Sequence, residues 1–170
     1  MDLMQLQELF DYKNRLMHDL LTNKEIVRLV DPTVEDVRYA YEKLAYKRVF
    51  PYDYIPETIE DAGTYICFDV DIQKVMGKTF LNPTIYLWVF SHKSILRLKE
   101  GGVRTDMLCA EIAEAINGSK YYGLGELDLY SVKRYAPISD YQGKIMMFTA
   151  KDFNNPSPSK HQTPSNRKKW

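Results

Sequence analysis

Two neighbouring segments that alternate in the manner of β-strands constrain most strongly how this chain can fold. In residues 64–75 and again in residues 84–98, apolar side chains recur at every second position, which is the period of a strand. The middle of the second segment is apolar on both faces, with Ile85, Leu87 and Val89 on one side and Tyr86, Trp88 and Phe90 on the other. We therefore predict that this strand is central in a sheet or covered on both sides. A turn between the two strands is expected around residues 76–83.

The first thirty residues have the period of a helix instead. Apolar side chains between residues 3 and 30 fall on one stripe, which predicts a helix or a helix pair. Asn23 is a natural break, and Asp31 ends the segment because the residue before a proline avoids helical backbone. Asp31 or Thr33 is expected to cap a further short helix that extends into residues 41–46.

A second helical segment lies after the paired glycines at positions 101 and 102. Thr105 or Asp106 is expected to begin this helix, and Asn117-Gly118 is a good C-terminal stop. Two more strands are predicted at residues 127–135 and 144–151, the second after a turn that includes residues 141–143.

The order of these elements predicts the fold class. Helices, a loop, two strands, a helix and two strands indicate an α+β protein with a mixed or antiparallel sheet of about four strands packed against helices. The N-terminal region is helical, and residues 1–153 form one domain. Residues 154–170 are rich in Pro, Ser, Asn and Lys, so we predict a flexible basic tail.

Charge argues against a dedicated nucleic-acid binder. Lys plus Arg and Asp plus Glu both number 23, which gives a net charge of zero, whereas phosphate recognition usually requires a basic excess. The tail contains no acid, and its basic residues are Lys160, Arg167, Lys168 and Lys169. The rest of the chain is therefore slightly acidic. A net charge of zero weakens self-repulsion and so permits assembly.

Compartment and cofactor signals are sparse. The N-terminus lacks the layout of a signal peptide, and no apolar run is long enough to span a bilayer, so we expect a soluble protein without a membrane partner. Cys67 and Cys109 each lie in an apolar pattern and are expected to be free, buried thiols. Dispersed histidines predict no metal site: His18, His92 and His161. We expect no cofactor.

Enzyme motifs are lacking in the sequence, with one weak exception. There is no phosphate-binding loop and no nucleophile elbow, and Gly123-Leu124-Gly125 is best interpreted as a tight bend. Asp69 and Asp71 would share one face of a strand near Lys74, and paired carboxylates can hold a divalent cation for phosphodiester cleavage. Because the next strand supplies no further acid or lysine, we favour a solvated strand face. A metal-dependent nucleic-acid enzyme is the less favoured alternative.

The aromatic segment at residues 50–56 has two prolines and three aromatic side chains, which predict an extended, ordered loop. Aromatic side chains beside basic groups could stack on bases. Ordered, tyrosine-rich loops are equally typical of protein interfaces. With a net charge of zero, we favour an interface.

Several of these segments together resemble the small tail terminator (tail completion) proteins of long-tailed phages and prophages. The resemblance covers roughly residues 5–153 and depends on residues 49–56, 64–70, 104–112, 123–127, 135–137 and 141–143. It implies a non-enzymatic, structural virion protein that assembles in the host cytoplasm. As the resemblance implies, such a protein forms a homo-oligomeric, hexameric ring on the last ring of the tail tube, ends tube growth and joins the tail to the head-side neck proteins. DNA passes through the lumen without sequence-specific binding. A head-tail connector or stopper of the neck is the alternative within this class.

A ring requires a heterologous interface that closes by rotation. We place one side of this interface on the aromatic loop and on the exposed face of the second strand, at Phe50, Tyr52, Tyr54, Tyr86, Trp88 and Phe90. We place a tube-facing surface on the loops 76–82 and 99–105, with Lys78, Lys99 and Arg104 as its basic residues.

Overall fold

The computed structural model of the protein describes residues 3–56, 62–76, 79–122 and 125–150. The predicted tail at residues 154–170 lies outside these ranges. The described helices are α1 (Leu3–Thr22), α2 (Lys24–Val30), α3 (Ala40–Leu44) and α4 (Arg104–Ile116). The strands are β1 (Val49–Phe50), β2 (Thr64–Met76), β3 (Thr79–His92), β4 (Leu127–Tyr135) and β5 (Tyr141–Ala150).

The N-terminal helix pair is confirmed, with the break at the predicted residue. The side chain of Asn23 accepts hydrogen bonds from the backbone N–H groups of Glu25 and Ile26 and so caps α2. The cap of the next helical segment was predicted wrongly. The side chain of Asp31 instead accepts from the backbone N–H and the hydroxyl of Thr33 in a local turn. The two residues predicted as caps therefore bond to each other. Asp36 caps the 3-10 turn Val37–Tyr39 that leads into α3.

One five-stranded mixed sheet organises the molecule, in the order β1-β2-β3-β5-β4. The two-residue strand β1 runs parallel to β2, and the four long strands pair antiparallel. The α+β class is thus confirmed, and β3 is the central strand, as its two apolar faces predict. The helix α4 also has its predicted end, since Asn117 is the C-cap and Gly118 has a positive φ of 79°.

Three strand boundaries differ from the prediction. Asn82 and Pro83 belong to β3 and not to a turn, since Pro83 pairs with β2. On its other side β3 pairs with β5 only from Thr84 onward, so Pro83 has no partner strand there. At such a margin the missing N–H of proline is tolerated. β3 ends at His92, and a 3-10 turn, Lys93–Ile95, follows. Residues 141–143 belong to β5, where they pair with β3.

The helices cover one face of the sheet. Buried side chains of α1, α2 and α4 form a continuous core with alternate residues of the strands, among them Ile66, Phe68, Ile85, Leu87, Val89, Met146 and Phe148. A separate, smaller apolar cluster on the opposite face contains no helical residue: Phe50, Tyr65, Cys67, Phe90 and Tyr141. The two faces of the central strand are thus buried in two different ways.

Candidate functional site

The face of the sheet opposite the helices, here called the open face, is the candidate functional site. Its residues follow from the strand register as cross-strand rows, because directly paired residues point to the same side. From one end to the other these rows are Asp71, Thr84, Thr149 and Asp128; Asp69, Tyr86, Met147 and Ser131; Cys67, Trp88, Ile145 and Lys133; and Tyr65, Phe90, Gly143 and Tyr135.

The aromatic loop covers one end of the open face. The ring of Tyr54 stacks on Phe50 with centroids 4.1 Å apart, and Phe50 in turn lies 6.5 Å from Tyr65. The thiol of Cys67 donates to the carbonyl of Tyr54 at 3.6 Å. The loop is thus ordered by its own chain, as predicted.

Two of the six predicted interface residues are buried by this packing. Phe50 is 4% exposed and Phe90 is fully buried, so neither side chain reaches a partner directly, and their assignment as contact residues is wrong. The apolar alternation that suggested them indicates burial within the chain equally well. Tyr52 is exposed at the surface, while Tyr54 is half-buried against the cluster.

An apolar strip remains in the middle of the open face: Tyr86, Trp88, Ile145 and Met147. Tyr86 pairs with Met147, and Trp88 pairs with Ile145, on the two adjacent strands. The rings of Tyr86 and Trp88 stack with centroids 6.1 Å apart. All four side chains are only partly buried. Within the described part of the chain, the buried hydrophobic residues of the helices all belong to the core on the other face, so no helix packs over the strip.

Ile145 and Met147 were missed by the sequence reasoning. Their strand was predicted, but its apolar run, Ile145-Met146-Met147-Phe148, is continuous and was not assigned to faces. A run of this kind has apolar side chains on both sides of a strand. Alternation along the strand, as in β3, places Ile145 and Met147 together on one face.

Carboxylates border the strip on the side away from the aromatic loop. Asp71 is exposed and Asp128 is partly exposed, and they occupy the two ends of the first cross-strand row. We call this row, with Thr84 and Thr149 between the two acids, the acidic rim.

Asp69, which also lies on the open face, forms an ion pair with a helical residue. Lys13 of α1 forms an ion pair with Asp69 at 2.6 Å and also donates to the carbonyl of Pro51 at 3.0 Å. Lys13 therefore links the helical layer, the aromatic loop and β2 around the sheet edge. Within the described residues, no three His, Cys, Asp or Glu side chains are grouped so that they could hold a metal ion.

The remaining titratable candidates lie apart from one another. His18 is exposed on α1, and His161 falls outside the described residues. His92 is 7% exposed, and its Nδ1 accepts from the backbone N–H of Ser94. Both cysteines are free and buried, as predicted, and burial raises the pKa of each thiol to about 12.

The three basic residues of the predicted tube-facing loops differ in their surroundings. Lys99 is exposed in a turn, and Lys78 lies outside the described residues. Arg104 is engaged within the chain, because its guanidinium donates to the carbonyls of Ile95 and Leu29, both at 2.9 Å. Arg104 is partly buried, and its assignment to a tube-facing surface stays a prediction.

Comparisons with known proteins complete the description of the chain. A model of the protein family YomW matches residues 14–150, a range that includes all five strands. The YomW family is associated with phages and prophages. No curated protein and no solved structure matches the chain. None of the described helices is long and apolar enough to cross a membrane.

Proposed function

The chain belongs to the phage- and prophage-associated YomW family, and on that premise we propose that it is a structural protein of the phage tail. In this proposal identical copies form a ring, of about six subunits, that caps the tail tube, ends its polymerisation and joins it to the head-side neck. The protein assembles in the host cytoplasm and remains in the virion. The ring acts as a scaffold and carries out no catalysis.

The apolar strip on the open face is the observation that carries the proposal. A two-layer domain normally buries the apolar faces of its sheet, and here a tryptophan, a tyrosine, an isoleucine and a methionine lie side by side without full cover. Aromatic residues and methionine are enriched at protein interfaces. A second copy of the chain can bury these four side chains, and this requires no other protein.

The aromatic loop gives this surface a rigid border. Tyr52 and Tyr54 lie in the loop whose backbone is held by Lys13. The ring of Tyr54 stacks on Phe50, and the ring of Tyr52 contacts Phe50 at a tilt of 58°. An exposed aromatic ring on a fixed loop costs little entropy when it binds. We therefore include Tyr52 in the surface between neighbours, together with the four residues of the apolar strip.

The charge balance is compatible with a DNA-conducting ring. With 23 basic and 23 acidic residues, the chain has no basic excess that would hold DNA tightly. A lumen that releases DNA during ejection requires weak contacts, because each neutralised phosphate adds to the affinity. The expected contact with DNA is therefore brief and independent of sequence.

A polymerisation assay tests this function. Tail-tube protein from the same phage is allowed to polymerise, and the purified protein is added in increasing amounts. We expect shorter tubes that carry a ring of extra density at one end in electron micrographs. Tubes of unchanged length without bound protein would contradict the proposal.

A matched pair of methionine variants provides the control. Met147→Lys puts a charge on the apolar strip, whereas Met107→Lys puts the same charge on an exposed position of α4, where the methionine is 43% exposed. We expect Met147→Lys to lose ring formation and Met107→Lys to retain it. Equal behaviour of the two variants would remove the strip from the interface.

A further inference from the structure

We propose that the outer edge of β4, at residues 130–135, binds an extended acidic segment of another protein as an additional strand of the sheet. The inference goes beyond the proposed ring, since it concerns the edge of the sheet and not the apolar strip on its open face. Among the described strands, β4 is the last in the sheet and pairs only with β5. An edge strand has a row of backbone groups that no neighbouring strand uses, and such a row can pair with an incoming strand.

The chain itself covers the first half of this edge. Leu127 donates its N–H to the carbonyl of Ser119 at 2.8 Å, and its carbonyl accepts from the N–H of Gly118 at 2.7 Å. The N–H of Leu129 donates to the side-chain oxygen of Asn117 at 2.7 Å. The segment after α4 therefore occupies the edge as far as Leu129. These bonds also show that Leu127 and Leu129 direct their backbone groups away from β5.

The second half of the edge is open. The pairing with β5 shifts between Leu129 and Ser131, where a bulge inserts Tyr130. Because backbone direction alternates along a strand, the outward-directed residues after this one-residue shift are Val132 and Arg134. Within the described residues, no backbone hydrogen bond from the far side of β4 reaches either of them. Their N–H and C=O groups are therefore available to another strand.

The side chains of the open half suit a partner that is both apolar and acidic. Tyr130 is 70% exposed and Val132 is 45% exposed, so apolar surface lies beside the available backbone groups. Lys133 and Arg134 are exposed on opposite faces of the strand. Neither of them takes part in the ion pairs found within the described residues. An incoming strand would thus bury apolar area and meet a cation on each face.

Charge decides which strand can bind. Two copies of β4 placed edge to edge would bring Lys133 and Arg134 close to the same residues of the second copy, and like charges opposite each other destabilise strand pairing. Basic residues on an edge strand generally prevent such self-association. An acidic strand meets the opposite situation, because its carboxylates can pair with both cations. The edge therefore selects an acidic partner.

The opposite edge of the sheet is closed to a neighbouring β4 by a different device. Ile66 donates its N–H to the carbonyl of Arg48 on the β1 side of β2, and Val70, four residues further on, directs its N–H to the same side. That N–H donates to the carboxylate of Asp69 at 2.8 Å, and Lys13 holds this carboxylate in an ion pair. Regular pairing of this edge with β4 of a second copy would have to break these contacts. We therefore assign the open half of β4 to a different protein.

Amide hydrogen exchange in the full-length protein, with and without a probe peptide, tests the proposal. The acidic probe has the order Thr-Val-Glu-Glu-Val-Thr with blocked ends, which is the same in both chain directions, and the control probe has lysine in place of both glutamates. At a probe concentration that gives roughly nine-tenths occupancy, we expect exchange at the N–H groups of Val132 and Arg134 to slow about tenfold, since only the free protein exchanges. The lysine probe should leave both rates unchanged.

Val132→Pro tests the backbone pairing directly. Proline lacks the outward N–H and is tolerated on an edge strand where that group faces solvent, so we expect a folded protein that no longer binds the acidic probe. Val132→Thr keeps the N–H and should bind the probe as the original protein does. A folded proline variant that binds equally well would overturn the strand addition.

Charge reversal tests the selection of an acidic partner and does not depend on the folding of the proline variant. Lys133→Glu with Arg134→Glu should reverse the preference, so that the lysine probe binds and the acidic probe does not. Lys24→Glu with Lys43→Glu replaces two exposed basic residues of α2 and α3, makes the same change in net charge and should leave binding of the acidic probe unchanged. An equal loss of binding in this control would overturn the assignment to β4.

Other occupants of the edge give different results. Slow exchange at Val132 and Arg134 that appears without a probe and increases with protein concentration assigns the edge to a second copy and overturns the proposal. Binding of the acidic probe without slower exchange at these residues overturns it as well, as does the absence of binding. None of these results depends on ring formation, so a failure here leaves the proposed function standing.

Discussion

Gly143 shows how a single residue fixes the open face. A Cβ at this position would lie 1.8 Å from the carbonyl oxygen of Val89 and 2.6 Å from the Cα of Phe90, both of which are backbone atoms. Neither can move without opening the pairing between β3 and β5. We expect Gly143→Ala to lower the free energy of unfolding by at least about 2 kcal/mol, measured by urea denaturation.

Gly101 is the matched control for that substitution. It has a φ of 100°, but a Cβ there meets nothing within 4 Å. Gly101→Ala should therefore cost only the backbone strain, about 1 kcal/mol. If the two alanine variants unfold at the same urea concentration, the close approach at Gly143 does not exist in solution.

The two buried thiols predict a loss of stability at alkaline pH. In the unfolded chain a thiol has the ordinary pKa of 9.0 and loses its proton above that pH. In the folded protein burial raises the pKa of Cys67 and of Cys109 to about 12, so both thiols stay protonated up to that pH. Above pH 9 the unfolded state binds fewer protons, so this contribution is fully present below pH 9 and is lost as pH rises toward 12. Urea denaturation at increasing pH measures it.

A cysteine-free variant separates the thiols from the tyrosines, whose titration also begins at high pH. Cys67→Ala with Cys109→Ala is expected to reduce the dependence of the unfolding free energy on pH between 9 and 10. An unchanged dependence would mean that the thiols are accessible to solvent in the folded protein.

At the scale of the elements, Asn23 decides where two helices separate. Its side chain accepts from the N–H groups of Glu25 and Ile26 at 3.0 and 3.1 Å, which satisfies two donors at the start of α2. Asn23→Ala should cost about 1 kcal/mol of stability, while Asn23→Asp retains the cap. A thermal melt of both variants checks this, and equal melting temperatures would exclude a capping role.

Arg104 joins three elements through hydrogen bonds that the local sequence does not indicate. It connects α4 to the carbonyl of Leu29 in α2 and to the carbonyl of Ile95 in the 3-10 turn. Arg104→Lys keeps the charge but not the two-pronged donor geometry, so we expect a loss of about 2 kcal/mol, close to that of Arg104→Met. Lys99→Met, in the exposed turn nearby, should leave the free energy of unfolding unchanged.

The periodic elements were predictable from sequence, and the contacts between distant segments were not. The alternation in β2 and β3 and the stripe in α1 and α2 reflect burial on one face, which is a local property of the sequence. Arg104 and Leu29 are 75 residues apart, and nothing local indicates that they meet. The same holds for Lys13 and Asp69, which are joined around the sheet edge.

Only part of the candidate site could be predicted, because the cover of a strand face also depends on contacts between distant segments. Tyr86 and Trp88 were identified as interface residues and lie in the strip, but Phe50 and Phe90 have the same apolar character and are buried. Local pattern gives the face of a strand and not what covers that face. Which rows the aromatic loop covers depends on its path across β2, and that path is set by Lys13 and by the stacking of Phe50 and Tyr54.

For the whole molecule, the central claim is that identical neighbours bury the apolar strip. Sedimentation over a range of concentrations measures the mass of the original protein and of the Met147→Lys and Met107→Lys variants. We predict a closed oligomer for the original protein and for Met107→Lys, and a monomer for Met147→Lys. A monomeric original protein at every concentration, or an oligomer that Met147→Lys leaves intact, would contradict the account.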